Sequence, residues 1–513
     1  MLTAFVESLS PVALISTASC LVLGSLLLHS IWHGHQLRHL PSPKAKSILL
    51  GHLADSVGSI GDWRHSGRFP EPFRSWMTEL GGIIHVREVL SHAVVLTDPK
   101  AVHHVLATNA PNFPRTPATE SYLADTAFGY GLVSTRGAVH DQMRKMLNPM
   151  FTASHVKTFL GLFDTHTRRL CDDILTHHCE SGRPVNLRQL LSHLTLELIG
   201  LAGFGFNFQA RPDAHIAYEK LMAPPSPLLY MLILSIPGIM RWPLPQLAVR
   251  KQAQVELKKL LADIIHTKLS PEAAASTEKP KDLLDLMLPH CTTGEARTHT
   301  MTFLLAGHET STSALSWVFA ILASRPDVVA DMRVEINSVL AKYKSLGNPE
   351  ALAELTYTTA VIQETMRLNP VAFVMRRVCE EDDRLPTMDG SAVFIPKGTL
   401  VRVDVVGMHR NPRFWHEPEL FMPRRFVDGS AAFNADAILR GGKSHAMFYV
   451  PFSGGAMNCI GQRFAMAEMQ VIVATLVHRF DFTLTEHANL THSFNGVTVE
   501  PTCLDMTVRP RSH

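Results

Sequence analysis

Apolar residues recur at three- and four-residue intervals over 155–182, 189–204, 294–324, 327–344, 351–368 and 461–479, the spacing that lines one side of an α-helix. Strand-like runs such as IIHV at 83–86, AVVL at 93–96 and TLVRVDVV at 399–406 are short and few. The pattern predicts a mainly helical chain with a minor β-sheet. Ile395-Pro396-Lys397-Gly398-Thr399 is turn chemistry ahead of a strand, and Pro423, Pro451 and the Gly454-Gly455 pair mark irregular backbone near the C-terminus.

The N-terminal pattern is different. Pro11 to Trp32 carries no formal charge and is long enough to cross about 30 Å of hydrocarbon as a helix, which predicts a membrane anchor over 11–33 after a short lumenal tail, 1–10. The first Lys or Arg is Arg38, so the basic start of a cleaved signal is missing. Arg38, Lys44 and Lys46 follow the span and Glu7 precedes it, an asymmetry that puts the remainder of the chain in the cytosol. Leu40-Pro41-Ser42-Pro43-Lys44 lies in a stiff linker, 34–46, leading to a globular part at 47–513. A second apolar stretch, Pro227 to Ile239, is too short to span and is either an interfacial dip or a buried core helix. Residues 269–282 have the composition of a solvated loop. The sequon Asn489-Leu490-Thr491 is expected to stay unmodified in this topology.

Composition narrows the function. Among 513 residues, 48 Lys and Arg against 46 Asp and Glu give a net charge of +2, which argues against a nucleic-acid-wrapping protein. With 46% hydrophobic and 18% charged residues the chain is globular rather than disordered. Its seven cysteines are scattered without a CxxC pair, so neither a disulfide framework nor a zinc cluster is indicated.

One cysteine has a distinctive setting. Phe452-Ser453-Gly454-Gly455-Ala456-Met457-Asn458-Cys459-Ile460-Gly461 places Cys459 after a glycine-rich loop and just before a helical pattern. Glycines let backbone approach a flat ligand, and N–H groups at a helix start favour the thiolate, which can bind iron. Taken alone, the same cysteine reads first as a small hydrophobe under a glycine turn; a thiol nucleophile is a further reading, but no His or acid of a local thiol-enzyme signature accompanies it. Ala306-Gly307-His308-Glu309-Thr310-Ser311 sits in mid-helix, where a Gly beside hydroxyl side chains can open a groove for a small ligand. The bland alternative has the Thr310 hydroxyl bonded one turn back and Glu309 as surface charge. Glu364 and Arg367 are three apart on one helical face, the spacing of an ion pair.

Together these segments resemble the cytochrome P-450 superfamily. Its F-x-x-G-x-[R/H]-x-C-x-G loop is matched at Phe452, Gly455, Cys459 and Gly461, with Met457 where a cation normally contacts a haem propionate. The resemblance makes Cys459 the axial thiolate of haem b, iron protoporphyrin IX, and Glu309 with Thr310 the acid-alcohol pair that relays protons. It joins Glu364 and Arg367 to Arg425 of Pro423-Arg424-Arg425-Phe426 in a buried structural triad, and assigns Arg377 to a propionate, leaving Arg376 as a surface cation. The family's W-x-x-x-R helix reads His140 to Arg144: Arg144 keeps a propionate role, while His140 is either a propionate donor or a surface histidine. With Met457 and His140 both altered, haem retention looser than the family norm is expected.

The resemblance implies a mainly α cytochrome P-450 fold with a minor β-sheet, and a eukaryotic microsomal enzyme in the endoplasmic reticulum membrane, its catalytic domain facing the cytosol. It would hydroxylate or epoxidise a lipophilic small molecule with dioxygen. Electrons would come from NADPH through a separate flavoprotein reductase, with cytochrome b5 as a further partner; Lys145, Arg463 and Lys443 read either as a basic patch that docks the reductase's acidic surface or, more commonly, as scattered solvated charge. Two other readings are a reductase-independent hydroperoxide-rearranging enzyme and a haem sensor or carrier without turnover. Candidate substrate contacts are Phe128, Leu304, Leu305, Val371, Val374 and Phe494, all apolar.

Overall fold

In the computed structural model, residues 11–53, 55, 71–270 and 282–511 are described; the tail at 1–10 and most of the loop at 269–282 lie outside them. The uncharged N-terminal stretch is helical. Helix α1 (Pro11–Gln36) has 26 residues, about 39 Å at 1.5 Å per residue. Leu21, Leu28, Ile31 and Trp32 on it are exposed. Among the described residues no single helix is long and apolar enough to cross a membrane. Beyond α1 the chain packs down: Leu37 and Leu40 are buried, and the His85 N–H donates to the Pro41 carbonyl.

Leu37 and Leu40 lie against a four-stranded sheet. Strands β1 (Ile83–Glu88) and β2 (Ser91–Leu96) form an antiparallel hairpin, and α2 (Gly137–Leu147) follows after shorter helices that include Pro99–His103 and Pro117–Thr126. Next come α3 (Leu187–Phe204), α4 (Pro212–Met222), α5 (Pro227–Ser235) and α6 (Pro245–Lys268). The Asn186 side chain caps α3 by accepting from Gln189 N–H, and left-handed Gly205 ends it. Proline at the first turn of α4, α5 and α6 costs no intrahelical bond. In α5, Leu229 and Ile233 are buried in a small cluster with Ile239 and Met240 while Leu228 is exposed, so the 227–239 stretch packs by one face only.

The central helix α7 (Thr293–Leu322) runs 30 residues and begins with a capping box, Glu295 N–H to Thr292 Oγ1 and Thr292 N–H to Glu295 Oε2. Its Leu315, Val318 and Phe319 are fully buried in the main core. Helix α8 (Pro326–Tyr343) precedes a break in the 351–368 pattern, which forms two helices, Pro349–Glu354 and α9 (Thr356–Leu368). The cause is tertiary: Glu335 of α8 accepts the Tyr357 and Thr358 N–H groups at 2.6 and 2.8 Å, capping α9 from outside. The 155–182 pattern is likewise interrupted, with an i→i+5 segment at Leu170–Leu175.

Strands β3 (Val374–Val378) and β4 (Leu400–Asp404) complete the sheet in the order β1-β2-β4-β3, with β4 parallel to β2 and antiparallel to β3. The strand expected over 399–406 stops at Asp404, whose carboxylate accepts Gly407 N–H and starts a short helix. Helix α10 (Gln462–Arg479) packs into the main core through Val471 and Ile472. A last hairpin, β5 (Asn489–Phe494) with β6 (Val499–Cys503), returns the chain toward α7.

Candidate active site

The glycine-rich loop before α10 folds back so that the Cys459 N–H donates to the Phe452 carbonyl at 2.8 Å. Ser453 and Gly455 both take left-handed backbone, at φ 63° and 67°. At Gly455 a side chain has no room, because a Cβ would collide with the Leu106 carbonyl. Cys459 is exposed, yet burial by the surrounding chain pushes its thiol pKa up while the Gly461 N–H and Arg144 pull it down. A group both accessible and closely surrounded lines a recess, and the two pulls downward mark what stabilises the thiolate. All seven cysteines are free.

Arg144 on α2 reaches this loop, donating to the Asn458 carbonyl and the Asn458 Oδ1, each at 2.6 Å. Arg144, Lys145, Gly455, Ala456 and Asn458 line a surface recess of about 670 Å³ on that side, and Lys145, Arg463 and Lys443 are exposed. His140, one turn before Arg144, is buried with its Nδ1 3.0 Å from Asp141 Oδ1. The surface-histidine reading is thereby corrected: α2 packs with that face inward.

Two further arginines are enclosed by the fold, Arg377 buried and Arg115 half-buried. Arg377 on β3 is buried, and burial together with the charge of Arg115 holds it down to about 10. Arg115 itself is lowered by burial, and its Nη1 is enclosed without a hydrogen-bond partner. Among the described residues neither forms an ion pair, although the Glu120 charge is near enough to favour the charged form of Arg115. Two cations that repel one another out of water are costly unless an anion joins them. An accessible thiol, a glycine cradle and paired orphan cations fit a flat macrocycle bearing carboxylates, so the donor set suits haem. Arg115 escaped sequence reasoning; its only signal was a lone arginine in the irregular Asn112-Phe113-Pro114-Arg115 stretch. Arg376, expected as a surface cation, is half-buried beside Arg402 and Tyr230, because its strand is covered on both faces.

On α7, Ala306 is exposed in the middle of an otherwise enclosed helix, marking the side that borders open space. The Thr310 hydroxyl donates to the Ala306 carbonyl at 2.5 Å, the local bond that such a residue makes in mid-helix. Glu309 is buried, not surface charge; its Oε2 accepts from Asn495 Nδ2 at 3.0 Å and its Oε1 lies 3.4 Å from His308 Nδ1. Burial raises the Glu309 pKa and the Arg188 charge opposes that rise. His308 is held by Ser192 of α3 and Tyr218 of α4 at 2.8 and 3.0 Å, and burial pushes it down to about 3, so it is neutral. One residue past the pair, Ser311 donates to Glu468 of α10 at 2.6 Å, tying the central helix to the helix that follows Cys459.

The charged triad is assembled and fully buried. Arg367 holds Glu364 through two nitrogens at 2.7 and 2.9 Å, and Arg425 adds a bond to the same carboxylate at 3.1 Å. Asp436, which sequence reasoning missed, pairs with Arg425 at 2.8 Å and neutralises the second cation. Of the apolar candidates, Leu304 is corrected: it is fully buried in the core, so it cannot border an open cavity. Leu305, Val371 and Val374 are half-buried. Phe494 packs its ring 5.3 Å from Tyr230 and 5.6 Å from Phe373. The Phe128 ring is covered by Lys258 Nζ at 5.2 Å.

A family model described as cytochrome P450 matches residues 54–506. Human cytochrome P450 4A11 is 29% identical over 504 residues, 91% of this chain and 89% of its own. Cytochrome P450 monooxygenase 91 of Postia placenta is 27% identical across 90% of this chain and 91% of its own. The protein LUTEIN DEFICIENT 5, chloroplastic, of Arabidopsis thaliana is 27% identical over 481 residues, 90% of this chain and 77% of its own. With a match running from residue 54 to residue 506, and a helical fold that carries a cysteine loop, this chain belongs to the cytochrome P450 family and is a monooxygenase.

Proposed function

We propose that the protein is a haem-thiolate monooxygenase that hydroxylates or epoxidises a lipophilic small molecule, with electrons delivered from NADPH by a separate flavoprotein reductase. The observation that carries this reading is the accessible Cys459 thiol on a glycine loop in the same fold as two enclosed arginines, half-buried Arg115 and buried Arg377, that no carboxylate pairs among the described residues. Thiolate-ligated haem, when bound, supplies the activation of dioxygen.

The chain's own residues do the rest. Cys459 is the ligand, its sulfur favoured as an anion by the Gly461 N–H and Arg144. Arg115 and Arg377 would bind the propionates, with Arg144 and His140 of α2 as further propionate donors. Glu309 holds a proton inside a buried network, since burial favours its neutral form, and passes it by way of the Thr310 hydroxyl. Phe494, Val371, Val374 and Leu305 form apolar walls that exclude water from the bound substrate. Glu364, Arg367 and Arg425 hold the scaffold.

The exposed apolar side chains of α1 support an anchor in the endoplasmic reticulum membrane, and the basic surface of Lys145, Arg463 and Lys443 supports docking of an acidic reductase or cytochrome b5. The decisive experiment compares the reduced, carbon-monoxide-bound spectrum of wild type and Cys459→Ala at equal polypeptide level. A red-shifted Soret band in wild type alone is expected; bound haem with an unshifted band in both proteins refutes thiolate ligation.

A further inference from the structure

The central helix is fastened to the C-terminal hairpin at every turn along one stripe. Glu309, Ser313 and Trp317 are four residues apart on α7 and share one face. Glu309 accepts from Asn495 at 3.0 Å, Ser313 lies 2.8 Å from the Thr498 hydroxyl, and the Trp317 indole N–H donates to the Val499 carbonyl at 3.0 Å. His492, earlier in the hairpin, packs its ring centroid 4.6 Å from that of Trp317 at a 36° tilt. A stripe used three times in succession is a designed seam, and Asn495 is the point at which it meets the carboxyl of the acid-alcohol pair.

Asn495 is built to present its amide nitrogen there. Its Oδ1 accepts the Val497 and Thr498 N–H groups at 3.0 and 2.8 Å, so the turn fixes the side chain. That leaves Nδ2 to donate, to Glu309 Oε2 and to Thr498 Oγ1, both at 3.0 Å. An amide oriented this way is a donor only, and a donor favours the carboxylate over the acid.

The geometry points to Asn495 as a positioning residue: its fixed amide orients the Glu309 carboxyl and sets the pH at which that carboxyl holds its proton. This rests on the monooxygenase reading, in which Glu309 is the proton donor. Among the described residues the groups around Glu309 are few. Helix α3 contributes Arg188, whose guanidinium is paired with Glu500 of β6 at 2.7 Å; α4 contributes the Tyr218 hydroxyl; α7 itself contributes neutral His308; and the hairpin contributes Asn495 and Glu500. Of these, Arg188 favours the charged form of Glu309 through space while its guanidinium is bonded to Glu500, and His308 is committed to Ser192 and Tyr218. The remaining adjustable partner in direct contact is Asn495. Because the preceding residue, Phe494, packs on Tyr230 and Phe373, the residue that sets the acid is one peptide from an apolar wall of the site.

The test is an infrared titration of haem-loaded protein in heavy water, needing neither substrate nor reductase. The difference between wild type and Glu309→Gln identifies the protonated Glu309 carboxyl band, and its intensity is followed against pH. Asn495→Ala removes the donor and is expected to move the midpoint up by about one pH unit. Asn495→Asp keeps the oxygen that the turn needs and replaces the donor by a second carboxyl, so the pair shares one proton and its midpoint moves up further. Unchanged midpoints in both variants, with thermal stability of Asn495→Asp near wild type, overturn the inference. Loss of the shifted carbon-monoxide band belongs to Cys459 and is read separately, so failure of the monooxygenase reading is distinguished from failure of the role of Asn495.

Discussion

Glu468 is a fully buried carboxyl with one partner. Its Oε2 accepts from Ser311 at 2.6 Å, and its Oε1 is enclosed with no hydrogen-bond partner among the described residues. Burial pushes its pKa up to about 8, with only the Ser311 bond pulling the other way. The folded protein therefore keeps this side chain neutral at pH 7 while the unfolded chain ionises it. With the folded value raised, its contribution is fully present below the unfolded value near 4.5 and is lost progressively as pH rises to about 8. At pH 7 the loss is about 3 kcal/mol, from 1.36 kcal/mol per pH unit above the unfolded value. Glu468→Gln preserves size and can still accept the Ser311 hydroxyl, but has no proton to lose. The variant is expected to match wild type near pH 4.5 and to unfold higher than wild type at neutral pH, by about 3 °C for an unfolding entropy of roughly 2.1 cal/mol/K per residue over 513 residues. The assay is thermal unfolding of both haem-loaded proteins across pH 5 to about 9, read as the gap between them. A gap that stays constant with pH, or a Glu468→Gln protein less stable than wild type at the alkaline end, refutes the assignment of a neutral buried acid.

Arg367→Lys tests the triad: an ammonium cannot replace the fork that holds both Glu364 oxygens and the His409 and Pro418 carbonyls. Breaking such a buried pair costs about 3–5 kcal/mol out of a total near 5–15 kcal/mol, so spectroscopically intact haem protein per milligram of polypeptide is expected to fall at least several-fold; a wild-type yield sinks the argument. Arg377→Gln, alone and with Arg115→Gln, is expected to speed haem transfer to apomyoglobin by about tenfold or more, equivalent to losing one charge-assisted bond of about 1.5–3 kcal/mol. Both variants are also expected to gain stability without haem, because a buried unpaired cation is removed; unchanged transfer rates would show that the cations serve another purpose.

The sequence by itself determined the helical class, the thiol at 459 and the charged motif at 364–367, because each is a local pattern: periodicity follows from 3.6 residues per turn, and glycine before cysteine follows from backbone reach. It also placed Glu309 and Thr310 beside one another, since neighbours on a chain need no fold to meet. What surrounds them was decided in three dimensions. Asn495, Arg188 and Glu500 reach the central helix from segments about 120 to 190 positions away in the chain, and no local spacing announces such a meeting. Arg115 reads as an ordinary loop cation until packing encloses it against Arg377, and the break at Leu355 appears only when Glu335 arrives from α8 to cap the next helix. Burial removed the surface alternative for His140, which the sequence left open beside a propionate contact, and removed Leu304 from the candidate substrate contacts. Both changes have one physical cause: exposure belongs to the packed assembly and is not a property of any residue type.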